Sequence, residues 1–228
     1  MTYPASPSGG VRAAVLDALA LLLPVDCAGC GRPDRGLCDG CRAELEVRPV
    51  RVDRPGAGIA AWAALEYAGT AARVIRAFKD EGRTDVARVL GPALRLALAR
   101  AAAGLVGPEP REVAVVPSTA AAHRARGYRP VGLLVRRAGF ATAEVLRAHA
   151  RTDQAALGRE ARRVNSRGSF SARDRLDGRR FVLVDDVVTT GSTLADAVRA
   201  IRDAGGSVDA IAVLAHTRLR IGRADPDA

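Results

Sequence analysis

Toward its C-terminal end the chain reads Phe181-Val-Leu-Val184, then Asp185-Asp186-Val-Val, then Thr189-Thr190-Gly191-Ser192-Thr193, and then a stretch of helical apolar spacing to Ala204. A short, wholly apolar run reads as a buried strand, and the spacing after Thr193 predicts a helix. Between them, two carboxylates sit at the strand's carboxyl end and hydroxyl residues sit at a helix N-terminus. Such a turn offers unpaired backbone N–H groups, and the helix dipole favours an anion there. Gly191 lets the backbone come close to a phosphate. Two adjacent carboxylates belong beside a phosphate only if they bind something else, such as ribose hydroxyls or the hydration shell of a Mg2+ ion. Strand ends and helix caps account for one or two of these residues but not for the ordered set. The unit suits a sugar that carries a terminal phosphate.

The remaining pattern says what surrounds that unit. Ala60–Tyr67, Val113–Val116 (ending at Pro117), Glu144–Ala148 and Val208–Leu214 read as strands, and 70–79, 84–103 and 130–138 as helices. Gly205-Gly206 ends the helix begun at Thr193. Apolar strands alternating with helices predict an α/β fold with a mostly parallel sheet covered on both faces. The Pro-, Arg- and Gly-rich stretch 48–58 reads as a linker, 104–110 as a loop, and the polar, Arg-rich stretch 151–180 as a long loop region. Residues 218–228 read as a frayed tail.

At the other end, Val11, Val15, Leu19, Leu22 and Leu23 recur at helical spacing, so 1–24 reads as an amphipathic helix stopped by Pro24. Asp17 interrupts the apolar run, no cleavage signature precedes Pro24, and the run is too short to span a bilayer. The expected location is the cytoplasm, without membrane insertion.

All the cysteines lie in Cys27-Ala-Gly-Cys30 and Cys38-Asp-Gly-Cys41. Each CxxC turn can aim two thiolates at one point, and two such turns supply the tetrahedral sulfur set that zinc prefers. A structural Zn2+ knuckle over 25–48 is the leading expectation. Two disulfides and a redox CxxC are its rivals, the first disfavoured in a reducing compartment. Four thiolates leave no open coordination position, so such a metal holds structure together. Arg32, Arg35 and Arg42 surround the module, which leaves open a knuckle that touches nucleic acid.

The formal net charge of +10 is unevenly placed. Residues 111–180 hold 16 Arg against 6 acidic residues, whereas the rest of the chain balances 19 basic with 19 acidic residues. Two readings stand: a solvated basic face, or a surface that meets a polyanion. Lys79 is the sole lysine, a bias that with the abundant alanine reads as a GC-rich genome.

The segment 181–193 resembles the phosphoribosyl-pyrophosphate (PRPP) motif of type I phosphoribosyltransferases, and the whole chain resembles the ComF family of competence-associated proteins. The likeness runs from about Leu22 to His216. It takes in both CxxC pairs, Tyr67, Phe78-Lys79-Asp80, Val116-Pro117, Arg124 to Tyr128, Thr152-x-Gln154, Arg162-x-x-Asn165 with Gly168 and Phe170, and the turn itself. It implies a type I phosphoribosyltransferase domain over 59–217, preceded by the cysteine knuckle. Thr189, Thr190, Gly191, Ser192 and Thr193 would hold the 5-phosphate, and Asp185 and Asp186 would face the ribose hydroxyls as the catalytic pair. Ser118 and Thr119 fall in the pyrophosphate loop, and Arg124 and Arg126 in a segment closing over the site. Mg2+ would accompany PRPP.

The implied activity is transfer of phosphoribose from PRPP to a nitrogen acceptor, as in nucleotide metabolism, with a role in DNA uptake. The alternative is a PRPP-sensing module that binds single-stranded DNA or a DNA-uptake helicase. Where the family has Pro-Val-Pro, this chain has Val115-Val116-Pro117, and Arg129-Pro130 replaces Asn-Gln after Arg126-Gly127-Tyr128.

Tyr128 between Arg126 and Arg129 is a candidate base-stacking platform, with plain packing as the other reading. Arg129, Arg162 and Arg163 complete the nucleic-acid candidates. His123, His149 and His216 show no metal or triad spacing and read as structural, and Trp62, Tyr67 and Phe78 as core.

Overall fold

Apolar runs that are buried on both faces need a sheet with cover above and below, and the chain builds one. The computed structural model describes residues 25–33, 36–53, 58–149 and 168–218. Its elements are α1 (Asp39–Glu44), β1 (Val50–Val52), β2 (Ala61–Glu66), α2 (Gly69–Asp80), a 3-10 turn (Thr84–Val86), α3 (Ala87–Ala103), β3 (Glu112–Val115), α4 (Ala120–Arg126), α5 (Pro130–Arg137), β4 (Leu146–Ala148), β5 (Phe170–Ala172), β6 (Arg180–Val188), α6 (Ser192–Asp203) and β7 (Ser207–His216). The main sheet has the order β1-β2-β7-β6-β3, and β4 pairs with β5 in a separate ribbon. The pairs β2–β7, β7–β6 and β6–β3 are parallel; β1 is antiparallel on β2.

Each face of the sheet has its own cover. On one side, α2, α3 and α5 pack with Cys27, Leu37, Cys41 and Leu45 of the cysteine module around Val182, Val184, Ala212 and Leu214. On the other, α6 and the β4–β5 ribbon pack around Phe181, Leu183, Ile211 and Val213. The contact of α3 with α5 is close: a Cβ at Gly91 would lie 2.4 Å from Arg137 Cβ and 2.8 Å from its backbone carbonyl carbon. At the amino ends of the strands, Asp209 receives Arg111 at 3.0 Å and Arg180 at 2.8 Å, and Arg179 meets Glu112 at 2.7 Å.

The connectivity positions the site. The chain leaving β3 turns toward the α5 layer, and the chain leaving β6 turns toward the α6 layer. Adjacent parallel strands whose connections part in this way open a crevice at their carboxyl ends, where ligands of open α/β sheets bind.

Several sequence expectations change. The stretch read as a linker contributes β1, because an edge strand that buries only Val52 carries little apolar signal. Within 151–180, Phe170–Ala172 forms β5. The segment Ala120–Arg126 is helical although it buries no residue, so it shows no apolar stripe. Strand β6 continues past Val184 because β7 stays beside it: Asp185 pairs with Val213 and Val188 with His216. The N-terminal helix 1–24 and the candidates Arg162 and Arg163 lie outside the described residues.

Candidate ligand site and cysteine cluster

Asp185 and Asp186 occur inside a strand, and that decides their different surroundings. Successive strand residues face opposite sides of a sheet. Asp185 continues the Phe181 and Leu183 series toward α6, and Asp186 continues the Val182 and Val184 series toward α2. On the α2 side, Lys79 Nζ reaches Asp186 Oδ2 at 2.9 Å. Asp186 Oδ1 accepts the Val187 N–H at 2.7 Å, and Asp185 Oδ1 accepts the Asp186 N–H at 2.8 Å.

Burial raises the Asp185 carboxyl well above the usual carboxylate range, and the Asp186 charge adds to the rise. The backbone hydrogen bond and Lys79 oppose it. For Lys79, burial pulls the ammonium down, but the charge and hydrogen bond of Asp186 outweigh it and leave the group above its ordinary value.

After Val188 the chain turns through Thr189 and Thr190 into Gly191, whose φ of 85° lies in the left-handed region that glycine enters freely. Gly191 occupies the N-cap of α6 with no side-chain cap, so hydroxyls and an incoming anion compete for the first N–H groups of that helix. Thr190 Oγ1 lies 3.2 Å from Ser192 Oγ and accepts the Ser192 N–H at 3.4 Å. Thr193 stands in the first turn of α6, half-buried. This turn and the carboxylate pair are therefore one continuous stretch of chain at the carboxyl end of β6.

The neighbouring strand supplies the other wall. Val116 N–H bonds to Val184 O at 2.9 Å, so the Pro117-Ser118-Thr119 segment leaves β3 beside the carboxylate pair. Thr119 caps α4 through Ala122 N–H at 3.2 Å. A cavity of about 170 Å3 adjoins this segment, lined by Val116, Pro117, Ser118, His123, Arg129 and Leu146, and by none of Asp185 to Thr193. The open turn, rather than this mostly apolar hollow, has the donors and acceptors that could hold an anion.

The basic candidates divide. Arg126 pairs with Asp80 at 3.2 Å, Arg129 pairs with Glu144, and Arg124 is exposed. Tyr128 sets its ring 5.7 Å from that of Phe78, tilted by 58°, and its buried hydroxyl has no hydrogen-bond partner among the described residues. The Phe78 contact and the buried hydroxyl give Tyr128 a packing role. The histidines bond locally: His123 to Tyr128 O at 3.3 Å, His149 to Ser171 Oγ at 2.8 Å, His216 to Thr217 O at 3.3 Å. Two residues with evident work here are Lys79 and Asp196. Lys79 carries a signal in being the sole lysine; buried Asp196 carries none, since Asp on a helix ordinarily faces water.

The four cysteine sulfurs lie within 4.8 Å of one another, and Cys30 Sγ is 3.8 Å from Cys38 Sγ. Tetrahedral zinc with Zn–S near 2.3 Å spaces its sulfurs by roughly 3.8 Å. None of the cysteines is in a disulfide. Backbone N–H groups of Gly29 and Cys38 point at Cys27 Sγ at 3.4 and 3.3 Å. Burial pushes the Cys27 thiol up, but its N–H bonds outweigh that and bring it down to about 6, whereas burial raises Cys41. The cluster therefore fits a thiophilic metal. It is docked on α2 and the turn after it: Arg83 donates to Asp26 O at 2.6 Å and Gly36 O at 3.0 Å, and Arg73 donates to Gly29 O.

A family model described as a phosphoribosyl transferase domain matches residues 123–227. The DNA utilization protein YhgH of Escherichia coli K12 is 29% identical over 182 residues, covering 75% of this chain and 79% of that protein. YhgH of Shigella flexneri matches equally. The transcriptional regulator GfcR of Methanocella arvoryzae is 41% identical over 61 residues, 21% of this chain and 30% of that protein.

Proposed function

We propose that this chain, which matches a phosphoribosyl transferase domain model, resembles a DNA utilization protein and has an N-terminal four-cysteine cluster, is a ComF-like protein that binds PRPP and transfers its phosphoribose to a nitrogen acceptor. The observation that carries the reading is the continuity of Asp185-Asp186 with the Gly191 turn at the N-terminus of α6. Thr189 to Thr193 receive the 5-phosphate, Asp185 and Asp186 receive the ribose hydroxyls, and the pyrophosphate lies toward Ser118 and Thr119. The acceptor nitrogen bonds to the anomeric carbon as the bond to pyrophosphate breaks with its electron pair, and the nitrogen then sheds its proton. Such a transition state resembles an oxocarbenium ion, so the protein contributes positioning and charge complementarity. The oxygen donors of the site suit Mg2+, which when bound with PRPP offsets the charge of the departing pyrophosphate. In the cysteine cluster, Zn2+ has a structural part.

Calorimetry tests the site. PRPP with Mg2+ should bind the wild type, and Asp185→Asn with Asp186→Asn should weaken it greatly while leaving the fold intact. Unchanged affinity refutes the assignment. Pyrophosphate release across a panel of amine and base acceptors then tests transfer.

A second reading has one observation behind it: the likeness to a DNA utilization protein covers most of this chain. In it the chain senses PRPP and contacts single-stranded DNA or a DNA-handling partner in the cytoplasm. Tight PRPP binding without pyrophosphate release favours this reading. So does oligonucleotide binding that falls with salt and with charge reversal at Arg124, which pairs with no described acidic residue.

A further inference from the structure

Helix α2 ends on Phe78-Lys79-Asp80, and each of these side chains grips a different part of the site's surroundings. Phe78 meets the Tyr128 ring at 5.7 Å, Lys79 meets Asp186 at 2.9 Å and Asp80 meets Arg126 at 3.2 Å. In a chain whose 35 basic residues are otherwise all arginine, the position at Asp186 is held by lysine. An ammonium is a compact point charge, whereas a guanidinium is a broad planar fork. Lys79 is 28% exposed at its side chain and Asp186 is 12% exposed, so the contact lies at the mouth of the crevice, partly screened from water.

Asp186 is thereby fixed at both oxygens, by the Val187 N–H of its own strand at 2.7 Å and by the ammonium of a different element. An ionised carboxylate has about four acceptor positions, which leaves roughly two for a ligand. Those are set in orientation by the two bonds already made. Beside it lies Asp185, buried on the opposite face of the strand.

We propose that Lys79 is a positioning residue for the ribose: it fixes the orientation of Asp186 so that this carboxylate receives the sugar hydroxyls, and it does not contact the diphosphate. The inference rests on the reading of the turn as a PRPP site. It divides the ligand by parts, since ribose 5-phosphate senses Asp186 and inorganic pyrophosphate does not.

The test titrates ribose 5-phosphate and inorganic pyrophosphate, each with Mg2+, into the wild type, Lys79→Met and Lys79→Gln, with thermal melts to verify folding. Ribose 5-phosphate affinity should fall roughly tenfold or more in both variants, as for a lost hydrogen bond to a charged group. Pyrophosphate affinity should stay within about twofold, inside the scatter of a surface change. A parallel loss for both ligands overturns the proposal, because Lys79 then serves the diphosphate or the fold as a whole. No loss for either overturns it as well. A wild type that binds neither ligand sinks the underlying PRPP reading instead.

The sole lysine gives an independent readout. Labelling at lysine Cε yields one side-chain resonance, and Asp186→Asn should move it further than Asp185→Asn does. Equal or reversed shifts count against the proposed pairing.

Discussion

The carboxylate of Asp196 accepts the backbone N–H of Phe170 at 2.9 Å, so the helix that starts at the Gly191 turn also holds the β4–β5 ribbon. The same side chain accepts Gly168 N–H at 2.9 Å and Arg199 Nε at 2.9 Å, and it is 4% exposed. Asp196→Ala should lower stability by about 3 kcal/mol, because it strands two backbone donors and a partly buried guanidinium. Urea unfolding measures this; a loss below about 1 kcal/mol would show that water replaces the carboxylate freely.

Asp185→Asn should stabilise the ligand-free protein while abolishing tight PRPP binding. The folded-state value of Asp185 is raised by burial and by Asp186, so its contribution is fully present below the unfolded value of about 4. That contribution is lost as pH rises through the folded value. An asparagine stays neutral and keeps the Asp186 N–H bond. Its melting-temperature advantage should therefore be small at acid pH and grow by about 3 °C or more toward alkaline pH. A gain that shrinks with pH contradicts the assigned direction.

The cysteine cluster should contain about one zinc per chain, the stoichiometry of a closed four-thiolate site. Chelation should lower the melting temperature by on the order of 10 °C. It should also weaken PRPP binding, because the module docks on the helix that carries Lys79. Metal analysis, melts and calorimetry on one preparation settle the matter. A metal-free, stable protein with two disulfides rules the zinc site out.

Gly91→Ala should destabilise by about 2 kcal/mol, since the added carbon meets Arg137 backbone that no rotamer change can move away. A neutral or stabilising effect, the ordinary result of Gly→Ala in a helix, would mean that α3 and α5 slide apart without cost.

The parts of the fold legible in the sequence are those in which burial leaves a pattern. Phe181 to Val184, Ile211 to Leu214 and the α2 series Ala71, Val74, Ile75 and Phe78 are buried, and their spacing announces strand and helix. β1 and α4 leave no such trace, because one is an edge and the other buries nothing. The candidate turn is visible as a run of residue types. Its neighbours are less so: Lys79 and Asp186 are far apart in the chain, and no local pattern reports a contact between layers. The pairing of the arginine-rich stretch is hidden in the same way: Asp80, Glu109 and Asp209 reach it from outside, while Glu112, Glu144 and Asp177 pair within it.

The ion pairs at the amino ends of β3, β6 and β7 have a consequence for how the molecule meets its surroundings. Arg111 and Arg180 share Asp209, and Arg179 is matched by Glu112, so the guanidinium groups at that edge of the sheet are already engaged by carboxylates. A polyanion reaching that edge would have to displace these pairs, whereas Arg124, in the helix that follows β3, is exposed and forms no ion pair with a described residue.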